Sequence, residues 1–376
     1  MPDAPSDSAR SPGLPPLAAA GRAAAQSRPW RNPPRWLRRG PGWLLHGLLL
    51  ALFAWAAALL LDWALLEAVF RPDAAACRAL QGNGACWGVI AEKGRAILFG
   101  RYPYGEHWRS LVASLLLLAL LLGSGWRALR PAAGRPLALA WLLGLGACLA
   151  LLYGGFAGLS RVDTARWGGL PLTLLLTLLG LGGALPLAVG LALARQSAHP
   201  WRRRLATAYI ELVRGVPLVP VLFLATFLLP LLLPQGWTLD VLLRVLLGLV
   251  LFAAAFLAEI LRGGLQALPA GQREAAAALG LTPWQQQRHV VLPQVFRSTL
   301  PALMNSCIST LKETSLVTIV GLHELTGSLA LALAGDPDWR LFYLEGYLFL
   351  ALLYGSSCHA LSRYSRFLER RLATRG

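Results

Sequence analysis

The chain has 376 residues, of which 56% are hydrophobic and only 14% charged, against roughly 25% charged in an ordinary soluble domain. The apolar residues gather into runs of about 20, which are long enough to cross the hydrocarbon core of a bilayer as helices. This pattern excludes a soluble globular enzyme, and it excludes an outer-membrane barrel, whose strands would be short and alternating. We therefore expect an all-α, multi-pass integral membrane protein.

The net charge of +17 would suggest a nucleic-acid partner in a soluble protein. Here most arginines lie in short segments between apolar runs, where they orient a chain in the membrane. The partner expected from the charge is therefore the lipid bilayer and not nucleic acid.

In chain order, residues 1–43 form a basic tail rich in Ala, Pro, Ser and Arg. Its composition cannot bury a core, so the tail is predicted to be disordered. About eight transmembrane helices follow, each an apolar run bounded by polar residues. They are Leu44–Leu66, Ser110–Trp126, Leu137–Leu159, Leu170–Ala194, Tyr209–Leu233, Leu239–Leu261, Thr299–Gly321 and Leu341–Leu361.

The distribution of basic residues predicts the orientation. Placing the N-terminus in the cytoplasm puts most of the 35 Lys and Arg residues in cytoplasmic segments, as the positive-inside rule requires. Both termini, including a tail over 367–376, are then cytoplasmic. Two connections are longer than the others, an external one over 67–109 and a cytoplasmic one over 262–298. The external loop carries Cys77 and Cys86, and whether they form a disulfide stays open at this point.

The cytoplasmic loop contains residues 274–293, EAAAALGLTPWQQQRHVVLP. Glu274 is expected to open an alanine-rich helix, where a carboxylate favours the positive end of the helix dipole. Gly280 is placed to stop this helix in a left-handed conformation. Thr282 can then cap a second helix that starts at Pro283. The loop is thus predicted to hold two short helices outside the membrane.

The spacing of the Glu-Ala-Ala stretch, the glycine and the final Leu-Pro resembles the cytoplasmic signature of ABC importer permeases, the type I transmembrane subunits. In that family this helix docks into a groove of the ATP-hydrolysing subunit and transmits its movement to the spans. An ordinary amphipathic connector is the alternative. The resemblance implies an ATPase-coupling role for Glu274, Ala275, Ala276, Gly280, Leu292 and Pro293.

The resemblance continues outside the loop. The segments 210–218, 256–272 and 312–316 are similar to those of polar amino-acid permeases, and the similarity covers residues 166–366. It implies the five-helix type I permease core. The region 44–165 is then a three-helix extension that resembles the larger permease subunit of broad-specificity L-amino-acid importers.

Polar residues in the seventh span are candidates for a translocation pathway. An ionisable residue at the centre of a span costs roughly 2.5–3.5 kcal/mol, which favours a functional reason for its presence. Steps of three and four residues place most of these side chains on one helix face. That face offers donors for the carboxylate and acceptors for the ammonium of an amino acid, whereas a purely structural Lys–Glu network is the alternative. The candidates are Asn305, Ser309, Lys312, Glu313, Thr314 and Ser315.

Two pairs with i, i+3 spacing lie near the cytoplasmic ends of their spans. They are Glu211 with Arg214 and Glu259 with Arg262. Helical geometry brings such side chains together. They are interpreted as local structural ion pairs or as latches of an inner gate.

The chain lacks a phosphate-binding Gly-x4-Gly-Lys-Ser/Thr motif, a nucleophile elbow and a zinc-ligand cluster. We therefore expect no catalytic residue, metal or cofactor on this chain, with ATP and Mg on two partner ATPase subunits. The resemblance implies the permease subunit of an amino-acid importer in the bacterial inner membrane. Its further expected partners are a second homologous permease, or a second copy of this chain, and a periplasmic amino-acid-binding protein. The alternative is an ion-coupled secondary transporter of a small polar solute, and a membrane-embedded enzyme is opposed by the missing catalytic constellation.

Overall fold

The computed structural model describes residues 41–80, 82–128 and 134–373. The predicted N-terminal tail lies outside the described residues up to residue 40, as do residues 374–376 of the predicted C-terminal tail. The chain divides into two units, of which the first ends at Ala68 and the second begins at Val69.

The first unit contains helix α1, Pro41–Leu61, which continues as a π-helical turn over Asp62–Leu66. Its leucines and alanines leave it apolar on all sides, and from Trp43 to Leu66 none of its residues is buried. A helix that is apolar all round fits a membrane span.

The second unit contains the helices α2 to α15. Those before the predicted core are α2 (Ala74–Ala79), α3 (Gly88–Phe99), α4 (His107–Ala128) and α5 (Gly134–Tyr153). Those that follow are α6 (Gly169–Arg195), α7 (Pro200–Arg214), α8 (Leu218–Phe223), α9 (Leu229–Leu232), α10 (Val241–Ala267), α11 (Ala270–Ala278), α12 (Pro283–Gln285), α13 (Leu292–Glu313), α14 (Leu325–Ala334) and α15 (Tyr343–Ala373).

Among the described residues, five helices are long and apolar enough to span a membrane, or six if a bent pair counts as one span. The five are α1, α4, α5, α6 and α10. The predicted seventh and eighth spans are also helical, in α13 and α15, but they are not among the five. Charged and polar residues interrupt their apolar runs. The all-α membrane fold is confirmed, with five or six such spans among the described residues against about eight predicted.

The predicted span Tyr209–Leu233 is broken. Helix α7 ends at Arg214 and α8 begins at Leu218, and the helical segments on the two sides of this break meet at 109°. Pro217 lacks a backbone N–H and has an extended conformation, so it cannot continue the helix that precedes it. A π-helical segment, Leu224–Leu228, then connects α8 to α9.

Helices α6 and α10 pack along each other and form the centre of the second unit. Their contact is built from small residues spaced by four, Ala184, Ala188 and Ala192 on α6 with Ala254 and Ala258 on α10. Such spacing places the alanines on one face of each helix. Small side chains let two helix backbones approach closely, which is how helices associate inside a membrane.

Within the predicted external loop 67–109, the described residues that belong to the second unit are folded. A disulfide joins Cys77 to Cys86, and the backbone N–H of Cys86 donates to the buried carboxylate of Glu345 on α15 at 2.9 Å. Helix α3 packs on α14, and the Lys93 ammonium lies 2.7 Å from the Asp336 carboxylate. This part of the N-terminal region is therefore attached to the C-terminal helices.

Candidate functional site

Helix α13 lines a cavity of about 390 Å³ with one polar face. The residues that α13 contributes recur at steps of three and four, which places them on one side of a helix. They are Ala302, Asn305, Ser306, Ser309, Thr310 and Glu313. The structure thus brings three of the predicted pathway residues, Asn305, Ser309 and Glu313, to one cavity.

The other three predicted pathway residues do not line this cavity. Lys312 is exposed, whereas Thr314 is fully buried and its hydroxyl donates to the Leu311 carbonyl at 2.8 Å. The hydroxyl of Ser315 donates to the Lys312 carbonyl, also at 2.8 Å. After Glu313 the helix tightens into a 3₁₀ segment. A 3₁₀ helix has about three residues per turn, whereas an α-helix has about 3.6. Thr314 and Ser315 lie in this segment, so they do not continue the helix face that α-helical spacing predicts for them.

A second part of the cavity wall comes from α10. Phe252, Phe256 and Glu259 are spaced by four and three residues and line it together. The two phenylalanine rings lie 4.9 Å apart. Arg214, from the end of α7, also lines the cavity and holds its guanidinium 5.8 Å from the centre of the Phe256 ring. The cavity therefore has one polar wall, one aromatic wall and a charged edge.

The charged edge is a cluster centred on Glu259. Its carboxylate accepts hydrogen bonds from Arg262 at 2.6 and 3.0 Å and from Arg195 at 2.9 Å. Arg214 lies 3.7 Å away from the same carboxylate. Arg195 also donates to Glu211 at 3.0 Å. These bonds connect α6, α7 and α10 beside the cavity.

The cluster corrects one predicted pair. Glu259 and Arg262 do pair within α10, as their spacing predicts. The local pairing of Glu211 with Arg214 is wrong, because Glu211 binds Arg195 of α6 and Arg214 turns toward Glu259. Partners from a neighbouring helix compete with a local partner at i, i+3, and sequence spacing reports only the local one.

The two short helices predicted in the loop 262–298 are present. Gly280 has a φ of +73°, and its N–H donates to the Ala277 carbonyl while that of Leu281 donates to the Ala276 carbonyl. This is a Schellman ending with glycine in the left-handed position. The Thr282 hydroxyl and the Gln285 side chain form a capping box at the start of α12.

The beginning of α11 differs from the prediction. The helix starts at Ala270, after Pro269, so Glu274 lies in its middle and does not interact with the positive end of the dipole. Glu274 and Ala275 are exposed, and Ala276 is buried. Glu274 is therefore an exposed carboxylate in the middle of α11 and does not start the helix.

The last two residues of the motif begin the next long helix. Leu292 and Pro293 are the first residues of α13. Pro293 lacks a backbone N–H, and it lies where the π-helical segment Gln286–Val291 passes into α13, an irregularity of the kind that accompanies a proline inside a helical run. The motif thus connects α11 to the helix that forms the polar wall of the cavity.

Two exposed apolar side chains in this loop were missed by the sequence reasoning. Leu279 is 80% exposed and Trp284 is 64% exposed, on either side of the Gly280 turn. Large apolar side chains that stay exposed outside a lipid-facing helix are typical of a protein-binding surface. The sequence signal for their exposure is their position beside Gly280, which ends one helix before the next begins.

Comparison with known proteins identifies the class of protein. Residues 184–374 match the family model described as binding-protein-dependent transport system inner membrane component. The inner membrane amino-acid ABC transporter permease protein YhdY of Escherichia coli K12 is 44% identical over 317 residues, 84% of this chain and 85% of that protein. The glutamate/glutamine/aspartate/asparagine transport system permease protein BztC of Rhodobacter capsulatus is 35% identical over 385 aligned residues, covering 88% and 86%.

A solved structure is also similar. The crystal structure titled as an amino acid ABC transporter with histidines is 32% identical, covers 53% of this chain and 90% of that chain, and has a TM-score of 0.47.

The chain belongs to the family of binding-protein-dependent transport system inner membrane components. It is therefore a membrane permease subunit, a transport component and not an enzyme.

Proposed function

We propose that this permease forms the translocation pathway of an ATP-driven importer of amino acids. The names of the relatives YhdY and BztC support an amino-acid cargo. The cavity supports it as well, since about 390 Å³ lies in the range of small-molecule sites. The alternative of an ion-coupled secondary transporter is not favoured, because it leaves membership of a binding-protein-dependent family without a reason.

The observation that carries the proposal is the path of one helical segment. Residues from Pro283 through the π-helical segment Gln286–Val291 and α13 to Glu313 form an uninterrupted helical run. One end of this run carries the exposed turn at Gly280, and the other end lines the cavity. A force on the turn therefore reaches the polar wall directly, which is what coupling between ATP binding and access to the cavity requires.

The turn at Gly280 is the proposed attachment point for an ATPase. Leu279 and Trp284 offer two apolar anchors, and the alanines of α11 let another surface come close. Two ATPase subunits would bind ATP and Mg, and this chain would bind neither. Movement of α11 by the ATPase would favour the outward-facing or the inward-facing state of the cavity only if the contacts of the ATPase with this chain differ between those two states.

The cluster around Glu259 is the proposed inner gate. It connects α6, α7 and α10 through Arg195, Arg214 and Arg262 at the edge of the cavity. Opening the cavity on this side requires these charged hydrogen bonds to exchange partners. Each such bond contributes more than a neutral one, so the cluster holds one state until the helices are moved.

The substrate would lie between the two walls. Glu313 can accept from its ammonium, and the amide of Asn305 and the hydroxyl of Ser309 can donate to its carboxylate. Phe252 and Phe256 would contact its side chain. For Lys312, Thr314 and Ser315 we propose contact with the pathway in a second state, after α13 has moved.

The remaining proposals follow from charge and from the family. Both termini would be cytoplasmic, with the loop 262–298 on the same side and the disulfide-linked loop 67–109 in the periplasm, an oxidising compartment. A periplasmic binding protein would deliver the amino acid there. A second permease subunit, homologous or identical, would complete the pathway. Residues 44–165 would be an extension of a core over 166–366.

The coupling is tested by Gly280→Val with Gly271→Val as the matched control. Gly280 needs a positive φ, whereas Gly271 lies in α11 without a positive φ, and a Cβ atom added to it would meet open space. In vesicles that also hold the ATPase, Gly280→Val should lose at least about tenfold in amino-acid-stimulated ATP hydrolysis and uptake, because valine is strongly disfavoured in the left-handed region. Gly271→Val should retain both, and size-exclusion profiles confirm that both variants fold.

The site is tested by Ser309→Phe, which fills the cavity, with the exposed Ser356→Phe on α15 as control. Uptake should fall only for Ser309→Phe. Accumulation of amino acid by vesicles that carry this chain without any ATPase would refute the proposal.

A further inference from the structure

Helix α7 has an apolar stripe that no other part of the described chain covers. Trp201, Leu205 and Leu212 are 65%, 52% and 69% exposed, and steps of four and seven residues place them on one face. The other apolar side of the helix, with Ala206 and Ile210, is buried where α7 packs on α6 and α10. Something outside the described chain must therefore cover the stripe.

Two arginines flank this stripe. Successive residues of a helix are rotated by about 100°, so Arg202 and Arg204 lie on either side of the line from Trp201 to Leu205, while Arg203 points to the opposite side. All three are exposed. The carboxylate on the same helix, Glu211, is already bound to Arg195. The edge of the stripe therefore has a net positive charge.

The bend after α7 fits a position of this helix at a membrane surface. The apolar segment that follows the break at Pro217 is inclined by 109° to α7, close to a right angle. If that segment crosses the bilayer, α7 lies near the plane of its surface. A helix with one apolar side, a tryptophan and arginines at the polar boundary has the composition of an interfacial helix.

We infer that this face of α7 is a binding site for an anionic phospholipid. The acyl chains would cover Trp201, Leu205 and Leu212, and the headgroup phosphate would accept from the guanidinium groups of Arg202 and Arg204. Guanidinium groups form paired hydrogen bonds with phosphate oxygens. A basic residue near an anionic surface favours that lipid by about fivefold. The inference is independent of the identity of the transported substrate.

The site is tested by photo-crosslinking from the stripe itself. The full chain carries p-benzoylphenylalanine in place of Leu205 and is reconstituted into vesicles of phosphatidylcholine with about one fifth phosphatidylglycerol. We expect the phosphatidylglycerol share of the crosslinked lipid to exceed its share of the vesicle by about threefold or more. The variant R202Q/R204Q should reduce it to the vesicle share, and R203Q, an arginine of the same helix on the opposite side, should leave the enrichment largely intact.

Three results would overturn the inference. The first is a crosslinked lipid composition equal to that of the vesicle in the parent chain. The second is an equal loss of enrichment in R203Q, which would indicate a diffuse charge effect. The third is a crosslink from the Leu205 position to the ATPase subunit, and not to lipid, in the assembled transporter. The same photo-amino acid at the exposed Leu115 of α4 reports the ordinary lipid composition and confirms that labelled chains are folded.

Discussion

Replacing Gly264 with alanine tests how closely α13 is held against α10. A Cβ atom at Gly264 would lie 2.4 Å from the Thr299 methyl carbon and 3.0 Å from a Val295 methyl carbon, both on α13. The adjacent Gly263 has open space at the same position. Both glycines lie inside one helix, so the two substitutions share their effect on helix propensity and differ only in the contact with α13.

The magnitude follows from this difference. Alanine gains about 1 kcal/mol over glycine in a helix interior, and the gain applies to both variants. Gly264→Ala must also displace the Thr299 and Val295 side chains of α13, and overpacking of this kind costs about 1–3 kcal/mol. The two variants should therefore differ in stability by about 1–3 kcal/mol, with Gly263→Ala the more stable. Because α10 and α13 both line the cavity, the displacement should also lower amino-acid uptake.

The assay is equilibrium unfolding of the purified permease in mixed micelles, with uptake measured in parallel. Equal stability of the two alanine variants would refute the close approach of α10 and α13. A lower stability of Gly264→Ala without any change in uptake would leave the packing correct and refute the connection between this contact and the cavity.

Three further predictions concern the ion pairs and the disulfide. Replacing Cys77 and Cys86 with serine should destabilise the segment around α3 by about 2–3 kcal/mol, since the bridge closes a short loop, and limited proteolysis would detect it. A hydrogen bond from the Lys93 ammonium lowers the pKa of Asp336, so the pair stabilises the fold above the ordinary carboxyl pKa, and this stabilisation is lost as the pH falls through the lowered pKa. The protection of the α3 amides against hydrogen exchange should therefore drop only at acidic pH. Asp336→Asn should remove that pH dependence. A double-mutant cycle between Arg195 and Glu259 should give a coupling energy of about 1 kcal/mol, and a value near zero would contradict their hydrogen bond.

Local features of the chain were predictable from the sequence. The left-handed Gly280 and the cap at Thr282 depend on residues within a few positions, and both are confirmed. The predicted start of α11 at Glu274 is wrong; the helix begins at Ala270, directly after Pro269, and a proline is a sequence signal for a helix start. The break at Pro217 is likewise visible in the sequence, as a proline inside an apolar run, but the 109° bend is set by packing.

Long-range contacts were not predictable from one sequence. The partner of Glu211 is Arg195, 16 residues away in another helix, and periodicity reports only neighbours at i, i+3 or i, i+4. The packing of α3 on α14 joins parts of the chain about 240 residues apart, as in the Lys93–Asp336 hydrogen bond. Such pairs are selected by the tertiary fold and leave no pattern in either segment alone.

The cavity combines one wall that was predictable from the sequence with another that was not. Its polar wall was visible because hydroxyl and amide side chains inside an apolar span need a physical reason, and their spacing gives the face. Its other wall has an equally regular spacing, at Phe252, Phe256 and Glu259. In a membrane helix, however, aromatic residues at this spacing can contact lipid, a neighbouring helix or a ligand, and the sequence pattern is the same in all three cases. What distinguishes this wall is Arg214, which comes from a different helix and lies 5.8 Å from the centre of the Phe256 ring. An aromatic wall is therefore recognised as part of a site only once the fold places a charge from another element against it.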